Sequence, residues 1–187
     1  MEQRGKRDPD ELLQKTAAAI TLTASPVFWE TFVSCLADAL NVDWALVGKL
    51  VAGQQRHART LAAWHRDRIT PNFEYQCETD PESNLQFGSM RVHLDGGHKQ
   101  FRSTWLKRVQ PERFGEVFLV DSIGRACGVL AIAHREQFVH TELMEPALQI
   151  FAFKAAIELE RELADADSYR DLLQTLKGPG AASESLI

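Results

Sequence analysis

Arg113-Phe114-Gly115-Glu116-Val117-Phe118-Leu119-Val120, then Asp121-Ser122-Ile123-Gly124, then Arg125-Ala126-Cys127-Gly128-Val129-Leu130-Ala131-Ile132-Ala133, is the stretch on which the fold turns. Two short runs flank a tetrapeptide of turn residues, the pattern of a β-hairpin. Gly124 can supply the positive φ that closes such a turn. The second run is apolar at nearly every position, as a central strand covered on both faces is.

Reading outward from the hairpin, the segment before it is mixed. Lys99 to Val109 fits a short helix, with Phe101, Trp105 and Val109 four residues apart. Arg91-Val92-His93-Leu94 reads as a short strand closed by Asp95-Gly96-Gly97. Phe73 to Phe87 is irregular by every local test, punctuated by Pro81, Ser83, Asn84 and Gly88, and His65 to Asn72 is a polar loop around Pro71. Further upstream, Trp44 to Val51 and His57 to Trp64 are strands joined at Gly53.

Two helices precede the strands. Asp8-Pro9-Asp10-Glu11 carries a cap, a proline suited to the first helical position and a capping-box acid, and the helix runs through Leu12 and Leu13 to Ala19. Ser25-Pro26 starts a second, whose face is Phe28, Phe32, Cys35, Leu36 and Ala39 and which stops at Asn41. After the hairpin, Thr141 caps a long helix with Glu142 and Glu145 in its first turn, Pro146 bends it, and Gly178-Pro179-Gly180 ends it near Lys177. This order predicts an α+β fold, a central antiparallel sheet with helices at both chain ends. The chain divides into an N-terminal helix (1–24), a core domain (25–164), a projecting helix end (165–177) and a disordered tail (178–187).

Composition narrows the function classes. The 187 residues are 44% hydrophobic and 25% charged, enough for one core. A net charge of −5 gives no electrostatic footprint for nucleic acid or anionic lipid. No apolar run is long enough to span a bilayer, and the charged N-terminus lacks the apolar core of a secretory signal, so the expected location is the cytoplasm. Cys35, Cys77 and Cys127 are odd in number and widely spaced, which argues against disulfides and a structural zinc site.

Phe28 to Leu163 resembles the GAF family of sensory domains, a profilin-like or PAS-like architecture. Three segments carry the likeness: Phe28-Trp29-Glu30-Thr31-Phe32 continuing through Leu36 to Val47, the hairpin from Asp121 to Ile132 with Gly128 in its second strand, and Phe151-Ala152-Phe153-Lys154-Ala155-Ala156-Ile157-Glu158-Leu159-Glu160-Arg161. The resemblance implies a sheet of five or six strands, terminal helices on one face, and loops and a short helix enclosing a small-molecule pocket on the other. It also implies a module that binds and signals beside an output domain, rather than an enzyme.

The pocket expected between Trp64 and Phe118 takes in Trp64, Phe73, Tyr75, Phe87, Arg91, His93, Trp105 and Phe118, aromatics with interleaved polar groups. The same aromatics could instead fill a core under a long loop. The ligand and any cofactor are unnamed. The Asn-Lys…Phe…Asp-Glu pattern of cyclic-nucleotide-binding members is absent, and the neighbours of Cys77 do not suggest a bilin site. The free methionine sulfoxide reductases share the fold but need clustered thiols, and only Cys77 lies in a loop. The six histidines show no ligand spacing, and no GxSxG or phosphate-binding loop is present.

The last helix shows a heptad-like seam through Ala152, Ala156, Leu159, Leu163, Ala166, Arg170 and Leu173. Its first half is expected to dock and its second half to project. A homodimer through Leu12, Leu13, Leu159, Leu163 and Leu173 follows, with Leu159→Asp plus Leu163→Asp expected to weaken dimerisation without unfolding. A ligand-free dimerisation scaffold is the alternative.

Overall fold

A computed structural model of the protein describes residues 9–54, 56–78, 95–96, 101–136 and 141–176, with residues 95–96 given as backbone only. Its elements are α1 (Pro9–Ile20), α2 (Phe28–Leu40), β1 (Trp44–Leu50), β2 (His57–His65), β3 (Arg68–Thr70), β4 (Glu74–Gln76), β5 (Asp95–Gly96), α3 (Thr104–Val109), β6 (Arg113–Val120), β7 (Ala126–His134) and α4 (Thr141–Leu176). The sheet runs β3-β2-β1-β7-β6-β5, six strands with every pairing antiparallel, and β4 pairs with the other end of β2. The first and last long strands, β1 and β7, therefore lie side by side at its centre.

Local chemistry explains the stops. Asn41 ends α2 in the left-handed region (φ 51°), and its backbone N–H donates to the carbonyls of Ala37 and Asp38. Gly124 takes φ 83° in the β6–β7 turn. There Asp121 accepts the backbone N–H groups of Ile123 (3.1 Å) and Arg125 (2.8 Å). Gly128 is needed for a different reason. A Cβ there would lie 2.5 Å from Leu159 Cδ2 and 2.7 Å from the Gly48 carbonyl oxygen, so α4 and β1 both crowd β7 at this point.

Several boundaries differ from the expectation. The loop at 65–72 contains β3, and the irregular stretch after it contains β4, both on the β2 edge. Three-residue strands are too short to display a period of two, so pairing rather than pattern defines them. Pro71, which has no N–H to give a ladder, separates the two. Across that gap the Thr60 hydroxyl accepts from Phe73 N–H (2.8 Å) and donates to Asn72 Oδ1 (3.1 Å). β5 occupies Asp95–Gly96 where a turn was expected, and α3 begins at Thr104 rather than Lys99. The expected strand at 91–94, the Asp8 cap and the tail at 178–187 lie outside the described residues.

The sheet has a core on each face. On one, α1, α2 and α4 pack Leu12, Phe28, Phe32, Leu36, Phe151 and Leu159 against Ala45, Val47, Val117, Leu119, Leu130 and Ile132. α4 buries Met144, Ala147, Leu148, Phe151, Ala152, Ala155, Ala156 and Leu159, a stripe at three- and four-residue spacing. Three acids are paired on the last docked turn, the first within α4 and the other two with the β6–β7 turn and α2. Glu158 meets Lys154 Nζ (2.7 Å) and Arg161, Glu160 accepts the Ser122 backbone N–H and hydroxyl, and Glu162 accepts Trp29 Nε1–H (2.9 Å). Beyond Leu163, every residue from Ala164 to Leu176 is exposed.

This corrects the seam. Leu12 and Leu159 are 5% and 1% exposed and belong to the chain's own core, and Leu163 packs at its margin. A docked amphipathic helix and a coiled-coil seam share the same spacing, so the pattern could not separate them. Leu13 and Leu173 remain exposed.

Candidate ligand site

The second face of the sheet carries an aromatic cluster centred on Trp105, which α3 brings down over the strands. Its ring centroid lies 5.7 Å from Trp44, 5.9 Å from Tyr75, 6.1 Å from Phe73 and 6.4 Å from Phe114. Trp44 in turn stacks on His65 at 3.9 Å and 13°. Strand alternation places these groups together. Trp44 and Leu46 share a face of β1, Tyr75 stands opposite Ala58 on β2, and Phe114 and Phe118 share a face of β6.

Glu116 lies on that face between the two phenylalanines and is 1% exposed. Its charge contributes to the state of its neighbours. Burial above all, and then the proximity of Cys77 and Glu116, push the Tyr75 hydroxyl well above its ordinary value. Burial first and Glu116 second likewise push up the Cys77 thiol. Both groups are neutral at pH 7. Cys77, just past β4, is fully buried, and a thiol so held is a poor nucleophile. His65 is also kept neutral, by burial first and then by Arg66 and Arg135.

The polar atoms of this face set it apart. Trp44 Nε1, His65 Nε2, Tyr75 OH, Ser103 Oγ and Trp105 Nε1 are buried and have no hydrogen-bond partner among the described residues. A buried polar group left unpaired costs roughly 1–3 kcal/mol. Five such groups would cost about 5–15 kcal/mol, as much as the whole stability of a typical domain. Among the described residues, this face therefore keeps hydrogen-bonding capacity unused. α3 itself is anchored from outside the cluster: Glu78 accepts the backbone N–H groups of Ser103 (2.7 Å) and Arg102 (3.1 Å).

Of the expected pocket residues, Phe73, Tyr75, Trp105 and Phe118 come together on this face. Trp64 does not, since it packs against the helix-side core. Phe87, Arg91 and His93 lie outside the described residues. Sequence reasoning missed Trp44, His65, Ser103, Phe114 and Glu116. Glu116 had a signal, being an acid spaced two residues from Phe114 and from Phe118 inside an apolar strand. Among the described residues no three His, Cys, Asp or Glu side chains could hold a metal ion, and no helix is long and apolar enough to cross a membrane.

No protein-family model matches the sequence, and no curated protein matches it. Solved structures do match. The GAF domain of an Acinetobacter phosphoenolpyruvate-protein phosphotransferase superposes with a TM-score of 0.57 at 14% identity, covering 84% of this chain and 96% of that one. Bacteriophytochrome RpBphP3 from the photosynthetic bacterium R. palustris gives a TM-score of 0.60 at 12% identity over 91% of this chain, which spans only 42% of that protein. Identities this low establish architecture alone. A central antiparallel sheet, helices from both chain ends on one face and a short helix over an aromatic cluster on the other make the fold of this chain that of a GAF domain.

Proposed function

We propose that this chain is a sensory or regulatory domain that binds a small molecule on the aromatic face and passes the signal through its terminal helices. The observation that carries this reading is the set of buried, unpartnered polar atoms around Trp105. The proposed contact residues are Trp44, Phe73, Tyr75, Trp105 and Phe118. GAF architecture with an aromatic cluster under a short helix supports a binding role over a catalytic one, and the burial that pushes the Cys77 thiol up weighs against thiol chemistry. Three free cysteines fit the reducing cytoplasm.

The exposed apolar residues of α4 support a homodimer or a continuing helical partner. Tyr169, Leu172, Leu173 and Leu176 follow i, i+3, i+4, i+7 spacing on the projecting end, and Ile150, Phe153 and Ile157 line the docked half. None of these side chains on the projecting end is buried by the described residues. Leu13, Leu173 and these residues replace Leu12 and Leu159 as the proposed contacts.

Native mass spectrometry of freshly purified protein tests both parts. A dimer with extra bound mass supports the sensor, a ligand-free dimer supports a scaffold, and a ligand-free monomer refutes the whole reading.

A further inference from the structure

We infer that the stack of His65 on Trp44 is a proton-sensitive latch: neutral His65 holds Trp44 in the aromatic face, and protonation in mild acid releases it and loosens its contact with Trp105. The latch needs no ligand, so it and the small-molecule reading above can each fail without the other.

Trp44 opens β1 between two histidines. His65 is its cross-strand partner on β2, and His134 follows Ala133, its partner on β7. The two are provided for differently. His134 Nδ1 lies 3.2 Å from the Asp43 backbone nitrogen and 3.0 Å from the Asp43 carboxylate. That ring nitrogen therefore has a partner whether or not it carries a proton. His65 has no such choice. Its ring lies flat on the Trp44 indole, centroids 3.9 Å apart and planes 13° from parallel. Its Nε2 is buried without a partner among the described residues. The turn behind it is fixed, with Arg66 at φ 60° and the Arg66 N–H donating to the Asp43 carbonyl at 2.7 Å.

Protonation makes both ring nitrogens donors. Inside the stack, Nε2–H would meet no acceptor among the described residues, and the cation would stand among Arg66 in the β2–β3 turn, Arg68 on β3 and Arg135 after β7. Asp43, ahead of β1, acts in the opposite sense and is outweighed. His65 thus gains its charge by leaving the stack for water. The stack is complete above the ordinary histidine value, about 6.5, and below it the open population rises by up to about tenfold per pH unit. The release is felt at Trp105, 5.7 Å from Trp44, which also meets Phe73, Tyr75 and Phe114.

Two-dimensional NMR of the full chain between about pH 8 and about pH 5 tests the latch. The indole N–H signals of Trp44 and Trp105 should shift with the midpoint of the His65 ring, below about 6.5, while those of Trp29 and Trp64 on the helix side stay still. His65→Phe keeps a flat ring without a proton site and should hold Trp44 and Trp105 at their high-pH positions throughout. His65→Gln, with neither stack nor charge, should hold them at their acid positions, and His134→Gln should leave the response in place. A response that survives in both His65 variants overturns the latch, as does a Trp105 signal that ignores the titration of His65. So does a His65 midpoint at or above about 6.5, the result if the indole face retained the cation.

Discussion

The two faces of this sheet are made by the same strands, whose alternate residues point to opposite sides, yet they are finished differently. On the helix face the buried or half-buried polar groups are paired: Thr16 donates to the Leu12 carbonyl (2.8 Å), Trp29 to Glu162, and Glu158 takes both Lys154 and Arg161. On the aromatic face, five polar atoms are buried without partners among the described residues. Among the described residues, one face has its polar groups satisfied by its own chain, while the other keeps hydrogen-bonding capacity unused.

The largest expected effect breaks the helix face. Leu159→Asp places a carboxylate in the helix-side core, where Leu159 lies over Gly128, and should cost more than about 4 kcal/mol and abolish cooperative unfolding in urea. A folded variant with only weaker dimerisation would restore the seam reading and undo the contrast.

Gly128→Ala comes next. The new Cβ meets backbone at Gly48 and the tip of Leu159, so a loss of about 1–3 kcal/mol in chemical denaturation is expected. The same change at Gly53, where nothing lies near, should act only through its φ of 77°.

The thiols sharpen the comparison chemically. Burial first, then Asp121, pushes Cys127 up to about 11 from 9.0, so its alkylation at pH 8 should be about a hundredfold slower than in the unfolded chain. Cys77, fully buried on the aromatic face, should be slower still in the free protein. Protection of Cys127 with rapid labelling of Cys77 would mean that the aromatic face opens.

The smallest effect is a pH slope. Burial works against the carboxylates of Asp121 and Glu158, but hydrogen bonds and charge from Arg125, and from Lys154 and Arg161, outweigh it and hold both below their ordinary values. A depressed carboxylate stabilises the fold above its unfolded value, about 4, and that contribution is lost as pH falls through the lower folded value. Glu158→Gln should therefore flatten stability against pH between about 5 and 3 in thermal melts.

How much of this was legible follows from the range of each signal. The β6–β7 hairpin, the apolar stripe of α2 and the Asn41 stop rest on local spacing and dihedral preference, which a sequence carries openly. β3 and β4 do not, because three-residue strands exist only by virtue of their partner β2. Trp64 and Trp44 show the same limit in the site. Both sit in strands, and only the register and the irregularity between Val47 and Gly48 decide that Trp44 faces Trp105 while Trp64 faces the helices. Leu12 and Leu159 were misplaced because a coiled-coil seam and a docked helix obey one spacing.

Glu160, bonded to Ser122, and Glu162, bonded to Trp29, make the last docked turn of α4 a fulcrum. The 13 exposed residues beyond Leu163 form an arm about 20 Å long at ~1.5 Å per residue, so a tilt of about 10° there moves the tip by about 3.5 Å. Ser122, which grips Glu160, sits at the tip of the β6–β7 hairpin, and the β6 strand of that hairpin carries Phe114, Glu116 and Phe118. The serine and the carboxylate thus tie the strand that carries these three side chains to the pivot of a 13-residue lever.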